Sequence, residues 1–86
     1  MKVIKYRLFE KSFKKVPAEI KVKFNEQIKI FYDNINDMRL DNHALHGKWT
    51  GHRSIKLTSD WRIIFKEVSQ DVFVLVNIGT HSQLYG

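Results

Sequence analysis

The sequence predicts a single domain, residues 1–86, with an α+β fold: an N-terminal strand, then two helices packed on one face of an antiparallel sheet of about four strands. Three observations lead there. Apolar and polar residues alternate near the N-terminus and again from His52 onward, as in strands that bury one face. Between these stretches Ile20, Phe24, Ile28, Phe31 and Ile35 recur at spacings of four and three, one stripe of a helix. Thr58-Ser59-Asp60 and Ser69-Gln70-Asp71 are polar connections of hairpin length, which make the later strands antiparallel neighbours.

In chain order, Val3 to Phe9 reads as a strand by alternation, and Glu10 to Lys15 as a helical turn or short helix. Pro17 suits the first position of the second helix, where its missing N–H costs nothing, and Asn34-Ile35-Asn36-Asp37 ends that helix. Met38 to Gly51 has two glycines and no sustained periodicity, so it is expected to be loop or a short strand with loops. Strands follow at His52–Leu57, Trp61–Val68 and Val72–Ile78. If Ile55, Leu57, Ile63 and Phe65 face the helices, then Ser54, Lys56, Thr58, Arg62, Ile64 and Lys66 face away. Lys56 and Arg62 then share the open face. Asn77 has the parity of Phe73 and Leu75, and it is expected with His81 at the edge of the same groove.

Composition narrows the partners. Fifteen Lys and Arg against nine Asp and Glu give a formal charge of +6, with an isoelectric point near 9.7. Such a balance favours an acidic partner: nucleic acid, an acidic protein or an anionic membrane. The chain has no cysteine, so neither disulfides nor thiolate metal sites form, which fits a reducing, cytoplasmic setting. Met1 to Arg7 is basic, but no apolar run follows it, and nothing elsewhere reads as a membrane span.

Several residues bear chemistry. His43, His46, His52 and His81 can act as acid or base, as imidazoles do, but they lack the spacing of a zinc motif, and no metal or cofactor is expected. Ordinary structural roles compete for the others. Lys56, Arg62 and Lys66 also suit solvated positions of a one-sided sheet, Trp61 a core or rim anchor, and Asp60 a turn acceptor.

The segments Leu45-His46-Gly47-Lys48-Trp49-Thr50-Gly51-His52-Arg53, Asp60-Trp61-Arg62-Ile63-Ile64-Phe65-Lys66 and Gly79-Thr80-His81-Ser82-Gln83-Leu84-Tyr85 resemble the RelE/ParE superfamily of bacterial toxins, nearest its YafQ-like (RelE/StbE) branch. The likeness extends over essentially the whole chain. It implies a RelE-like fold and a toxin that enters the A site of the small ribosomal subunit, cuts mRNA there without metal, and is silenced by a cognate antitoxin. The chemistry implied is attack of a ribose 2′-OH on the adjacent phosphate, which requires a base, an acid for the leaving 5′-oxygen, and cations for the developing charge.

By this resemblance His81 is the general acid, His43 or Asp60 positions or deprotonates the 2′-OH, and Tyr85 stacks on a base or donates a hydrogen bond. Lys56 stands where the YafQ-like pattern has a histidine, but where RelE proper carries a catalytic lysine; Arg62 matches a catalytic arginine of RelE. Asn77 replaces an arginine of the YafQ-like pattern, so Arg62, Arg53 or Lys56 must compensate for the lost phosphate contact. Lys48, Lys66, Trp61, His46 and His52 complete the expected RNA-facing set. Two other readings remain at this point: a ParE-like poison of DNA gyrase, and a degenerate toxin that only binds its antitoxin.

Overall fold

The apolar stripe of the long helix sets the core. In the computed structural model, which describes residues 1–86, this helix is α2 (Ala18–Asp33), and its Ile20, Phe24 and Phe31 are buried while Ile28 and the following Ile35 are partly covered. Pro17 is the last extended residue before the helix, and its carbonyl accepts the amides of Ile20 and Lys21. A proline fits there because its fixed φ suits the extended entry.

The strand expected over Val3–Phe9 is shorter. β1 covers Lys2–Lys5, and Arg7–Phe13 forms helix α1. The alternation is real but misleading, because Phe9 and Phe13 stand four residues apart and stack at 5.6 Å between ring centroids. Phe13 also meets the Phe24 ring edge-on at 5.0 Å. A helix brings both rings onto α2, which a strand would direct elsewhere.

After α2 a 3-10 turn, Met38–Leu40, is capped by Asp37, whose carboxylate accepts the Arg39 amide and faces the Arg39 guanidinium at 2.9 Å. The hydrogen bonds from the Arg39 side chain and amide hold this carboxyl down at about 2. Then come β2 (His43–Ala44), a second 3-10 turn at Gly47–Trp49, β3 (Arg53–Lys56), β4 (Trp61–Ser69), β5 (Val72–Thr80) and α3 (His81–Tyr85). The five strands lie in the order β1-β5-β4-β3-β2. The expected antiparallel run of β3, β4 and β5 forms and β2 extends it, but β1 joins beside β5 in parallel, Lys2 opposite Val72 through Lys5 opposite Leu75, so the sheet has five strands and is mixed.

Thirteen buried residues make one core between α1, α2 and the sheet, including Ile55, Leu57, Ile63, Phe65, Phe73, Leu75 and Ile78. The β5 parity changes within this set. Ile64 pairs with Asn77 while Phe65 pairs with Leu75, so Val76 is an extra, bulged residue. The bulge leaves Leu75 and Ile78 both on the helix side and puts Asn77 on the opposite face, against the parity expected from simple alternation.

That opposite face is partly roofed. Its Ser54 and Ile64 are fully buried, and α3 folds back over Gly79, where an added Cβ would come within 3.3 Å of Leu84 Cδ2. The turn into α3 is a capping box: Thr80 Oγ1 accepts the Gln83 amide and Gln83 Oε1 accepts the Thr80 amide. The Trp49 indole N–H then donates to the Leu84 carbonyl at 3.0 Å, tying α3 to the loop before β3.

Candidate active site

Register places the candidate residues in three successive rows on the face opposite the core. Lys56 pairs with Arg62, and Arg62 with Gly79. One step along the strands His43 pairs with Ser54, Ser54 with Ile64 and Ile64 with Asn77. In the other direction the β4–β5 ladder continues from Trp61 and Thr80 to Asp60 and His81, whose amide donates to the Asp60 carbonyl at 3.0 Å. Rows on one face are about 7 Å apart, twice the rise per residue. His81, Asp60, Lys56, Arg62 and His43 therefore converge on one stretch of sheet.

Arg62 is the anchor of the group. Its side chain is only 12% exposed, and its Nε donates to Ser54 Oγ at 2.8 Å. Nη2 donates to the Asp41 carbonyl at 2.7 Å, and Nη1 meets Asp41 Oδ2 at 3.1 Å. Burying a guanidinium requires this saturation, since each unpaired donor would carry a desolvation cost. Ser54, fully buried on the face opposite the core, supplies the acceptor for Nε.

The same contacts orient His43. Its Nδ1 lies 3.1 Å from the Asp41 carbonyl and 3.3 Å from Arg62 Nη2. A ring that donates from Nδ1 to the carbonyl keeps a lone pair on Nε2, which suits a base; a ring that accepts from Arg62 carries its proton on Nε2 and suits an acid. Asp41 itself sits in the left-handed region, φ 46° and ψ 51°, a conformation that Asp tolerates better than most residues. Sequence reasoning missed both Asp41 and Ser54. Asp41 fell in the stretch read only as loop or a short strand with loops, and alternation placed Ser54 on the face away from the helices without a partner.

At the other end of the site His81 is the exposed first residue of α3, and its ring meets the Tyr85 ring edge-on at 4.9 Å. One helical turn separates them, so the contact follows from the i, i+4 spacing. The Tyr85 hydroxyl is buried without a hydrogen-bond partner. Asp60 does not accept the turn bonds expected of it: Thr58 Oγ1 takes the amides of Asp60 and Trp61, while Asp60 Oδ1 lies 3.3 Å from the His81 amide. Asp60 thus holds the start of α3.

The remaining candidates are scattered. Arg53 has the opposite parity to Lys56, and its Nε donates to Asn42 Oδ1 at 2.8 Å, bracing the loop that carries Asp41 and His43. Lys48 and His46 are exposed around the Gly47–Trp49 turn, and the His52 ring stands edge-on to Trp49 at 5.4 Å. His52 and Lys66 line a shallow hollow of about 370 Å³ with Tyr6, Val68, Val74 and Val76, farther along the same sheet face. Trp61 packs on the helix side against the core, beside Ile20 of α2, on the face opposite Arg62. Asn77 accepts the Ile78 amide and borders a depression with Ser12, Lys15 and Gln83, apart from the Arg62 cluster.

Comparison with known proteins bears on the fold and the family. No curated protein matches the chain at a significant level. Among solved structures, YafQ from E. coli strain BL21(DE3) superposes with a TM-score of 0.78 at 21% identity, covering 98% of this chain and 97% of that one. A copper-bound mutant toxin from Helicobacter pylori gives 0.72 at 25% identity over 99% of both chains. The RelB–RelE antitoxin–toxin complex from Methanococcus jannaschii gives 0.74 at 21% identity, over 95% of this chain and 94% of that one. Residues 2–86 match the family model described as "Bacterial toxin of type II toxin-antitoxin system, YafQ", so the chain belongs to the YafQ family of type II toxins.

Proposed function

We propose that this chain is a ribosome-dependent endoribonuclease that cleaves mRNA in the A site and is neutralised by a cognate antitoxin. The observation that carries the reading is the register of the three rows, which brings an acid or base pair and two cations onto one face: Asp60 with His81, Lys56 with Arg62, and His43 beside Ser54. In this reading His43 or Asp60 takes the proton of the 2′-OH as its oxygen bonds to phosphorus. The bond from phosphorus to the 5′-oxygen breaks, and His81 protonates that oxygen, leaving a 2′,3′-cyclic phosphate and a 5′-OH. Lys56 and Arg62 face the charge that develops on the phosphoryl oxygens.

Tyr85, edge-on to His81, offers a ring on which a base stacks. Lys48, His46, His52 and Lys66 lead the flanking RNA along the face, and Arg53 acts through the Asn42 loop. The YafQ family and the M. jannaschii toxin–antitoxin complex support an antitoxin as partner, and a +6 chain favours an acidic segment of it. No helix is long and apolar enough to cross a membrane.

Mapping of mRNA 5′ ends on ribosomes after induction tests this directly. New ends bearing 5′-OH groups are expected with the wild-type chain, and His81→Ala should reduce their formation by about 10² to 10⁴-fold without loss of fold. Growth arrest with intact mRNA and gyrase-linked DNA breaks would overturn the ribonuclease reading.

A further inference from the structure

We infer that Asp41 is an internal competitor for the phosphate position at Arg62, and so sets how strongly the free protein grips an RNA backbone. The inference rests on the reading of this face as an RNA site, but its geometry is independent of catalysis. Four contacts turn the Arg62 guanidinium inward or hold it in place: Nε to Ser54 Oγ at 2.8 Å, Nη2 to the Asp41 carbonyl at 2.7 Å, Nη2 to His43 Nδ1 at 3.3 Å and Nη2 to the Ser54 carbonyl at 3.5 Å. The remaining nitrogen, Nη1, meets the Asp41 carboxylate at 3.1 Å, and the Asp41 side chain is 61% exposed. The outward end of an otherwise buried cation is thus covered by a carboxylate that reaches into solvent.

A carboxylate and a phosphodiester present similar charged oxygens to a guanidinium, so both fit the same nitrogen. A phosphate arriving at Nη1 must displace the Asp41 oxygen or meet its negative charge. The exchange is cheap because the displaced carboxylate is mostly hydrated already. The backbone contact is separable from it: the Asp41 carbonyl, not its carboxylate, orients Nη2 and lies against His43 Nδ1. Asp41 therefore has two roles on two atoms. The carbonyl positions Arg62 and His43, and the carboxylate holds the phosphate position of Arg62 until a phosphate replaces it.

Asp41→Asn separates these roles, since Asn keeps the carbonyl and tolerates the left-handed backbone while losing the charge. Inorganic phosphate is titrated at constant ionic strength into the full wild-type and variant chains, with the Arg62 Nε–Hε resonance as readout. Asp41→Asn should bind phosphate roughly fivefold more tightly, with the shift centred on Arg62 and the amide spectrum otherwise preserved. Asp33→Asn makes the same change in net charge at the end of α2 and should bind as the wild type does. Equal affinity for Asp41→Asn and wild type, an equal gain in Asp33→Asn, or shifts centred on Lys56 rather than Arg62 would each overturn the inference. A gain at Arg62 in a chain that leaves ribosomal mRNA intact would instead defeat the nuclease reading and leave the competition standing.

Discussion

The two faces of the sheet are buried by different means. On the helix side Ile55, Ile63, Phe65 and Leu75 meet α1 and α2 in an apolar core, where Phe31 stands edge-on to Phe65 and Phe73 at 5.1 and 5.4 Å. On the other side Ser54 and Ile64 are equally inaccessible, yet the helix that folds over neighbouring Gly79 has five residues, tied down by a capping box and one indole hydrogen bond, and Ser54 meets a guanidinium. Hydrophobic burial is non-directional and tolerates adjustment, whereas hydrogen bonds hold groups at set angles. The first face supplies most of the stability and the second fixes the alignment of the Arg62 and His43 side chains.

The largest test of this contrast is Phe31→Ala. Removing a fully buried ring from the helix side should cost about 3 to 5 kcal/mol, read by urea denaturation, and a loss below about 1 kcal/mol would deny that face its dominant share. Ser54→Ala should cost less, about 1 to 3 kcal/mol, because it leaves Arg62 Nε without its acceptor in a nearly closed setting. Its more telling result is in crystals or NMR spectra of the variant, where the Arg62 and His43 side chains should shift while the helix-side core does not.

Smaller still, Trp49→Phe removes the bond to the Leu84 carbonyl and should lower stability by about 1 kcal/mol. Hydrogen exchange should then accelerate in α3 but not in α2; uniform acceleration would mean that the two faces are a single cooperative unit. Smallest is Tyr85→Phe, which removes a buried hydroxyl that has no partner. Thermal stability should hold or rise by up to about 1 kcal/mol. Cleavage should persist if the ring contributes by stacking, and loss of cleavage would assign the work to the hydroxyl.

Much of this was legible in local pattern. The four-and-three spacing from Ile20 to Ile35 placed α2 and its buried stripe, and alternation with polar turns placed β3, β4 and β5 within a few residues. The shared face of Lys56 and Arg62 followed from the same alternation. Other features were encoded but unread: Thr80 and Gln83 form the three-residue spacing of a capping box, and so announce α3. Phe9 and Phe13 likewise signal a helix once Phe24 is known to lie opposite.

What local pattern decided, therefore, was which residues are apolar on which side of each element, because that depends only on the period of helix or strand. Tertiary structure decided the rest, since it depends on partners far away in sequence. Pairing with β5 made β1 parallel, the bulge at Val76 sent Asn77 to the other face, and the return of α3 roofed a face that alternation alone would leave open. The same holds for the site. That Arg62 would be a cation on the outer face was written in its strand, but that Asp41 would meet it from 21 positions away was settled only by the fold.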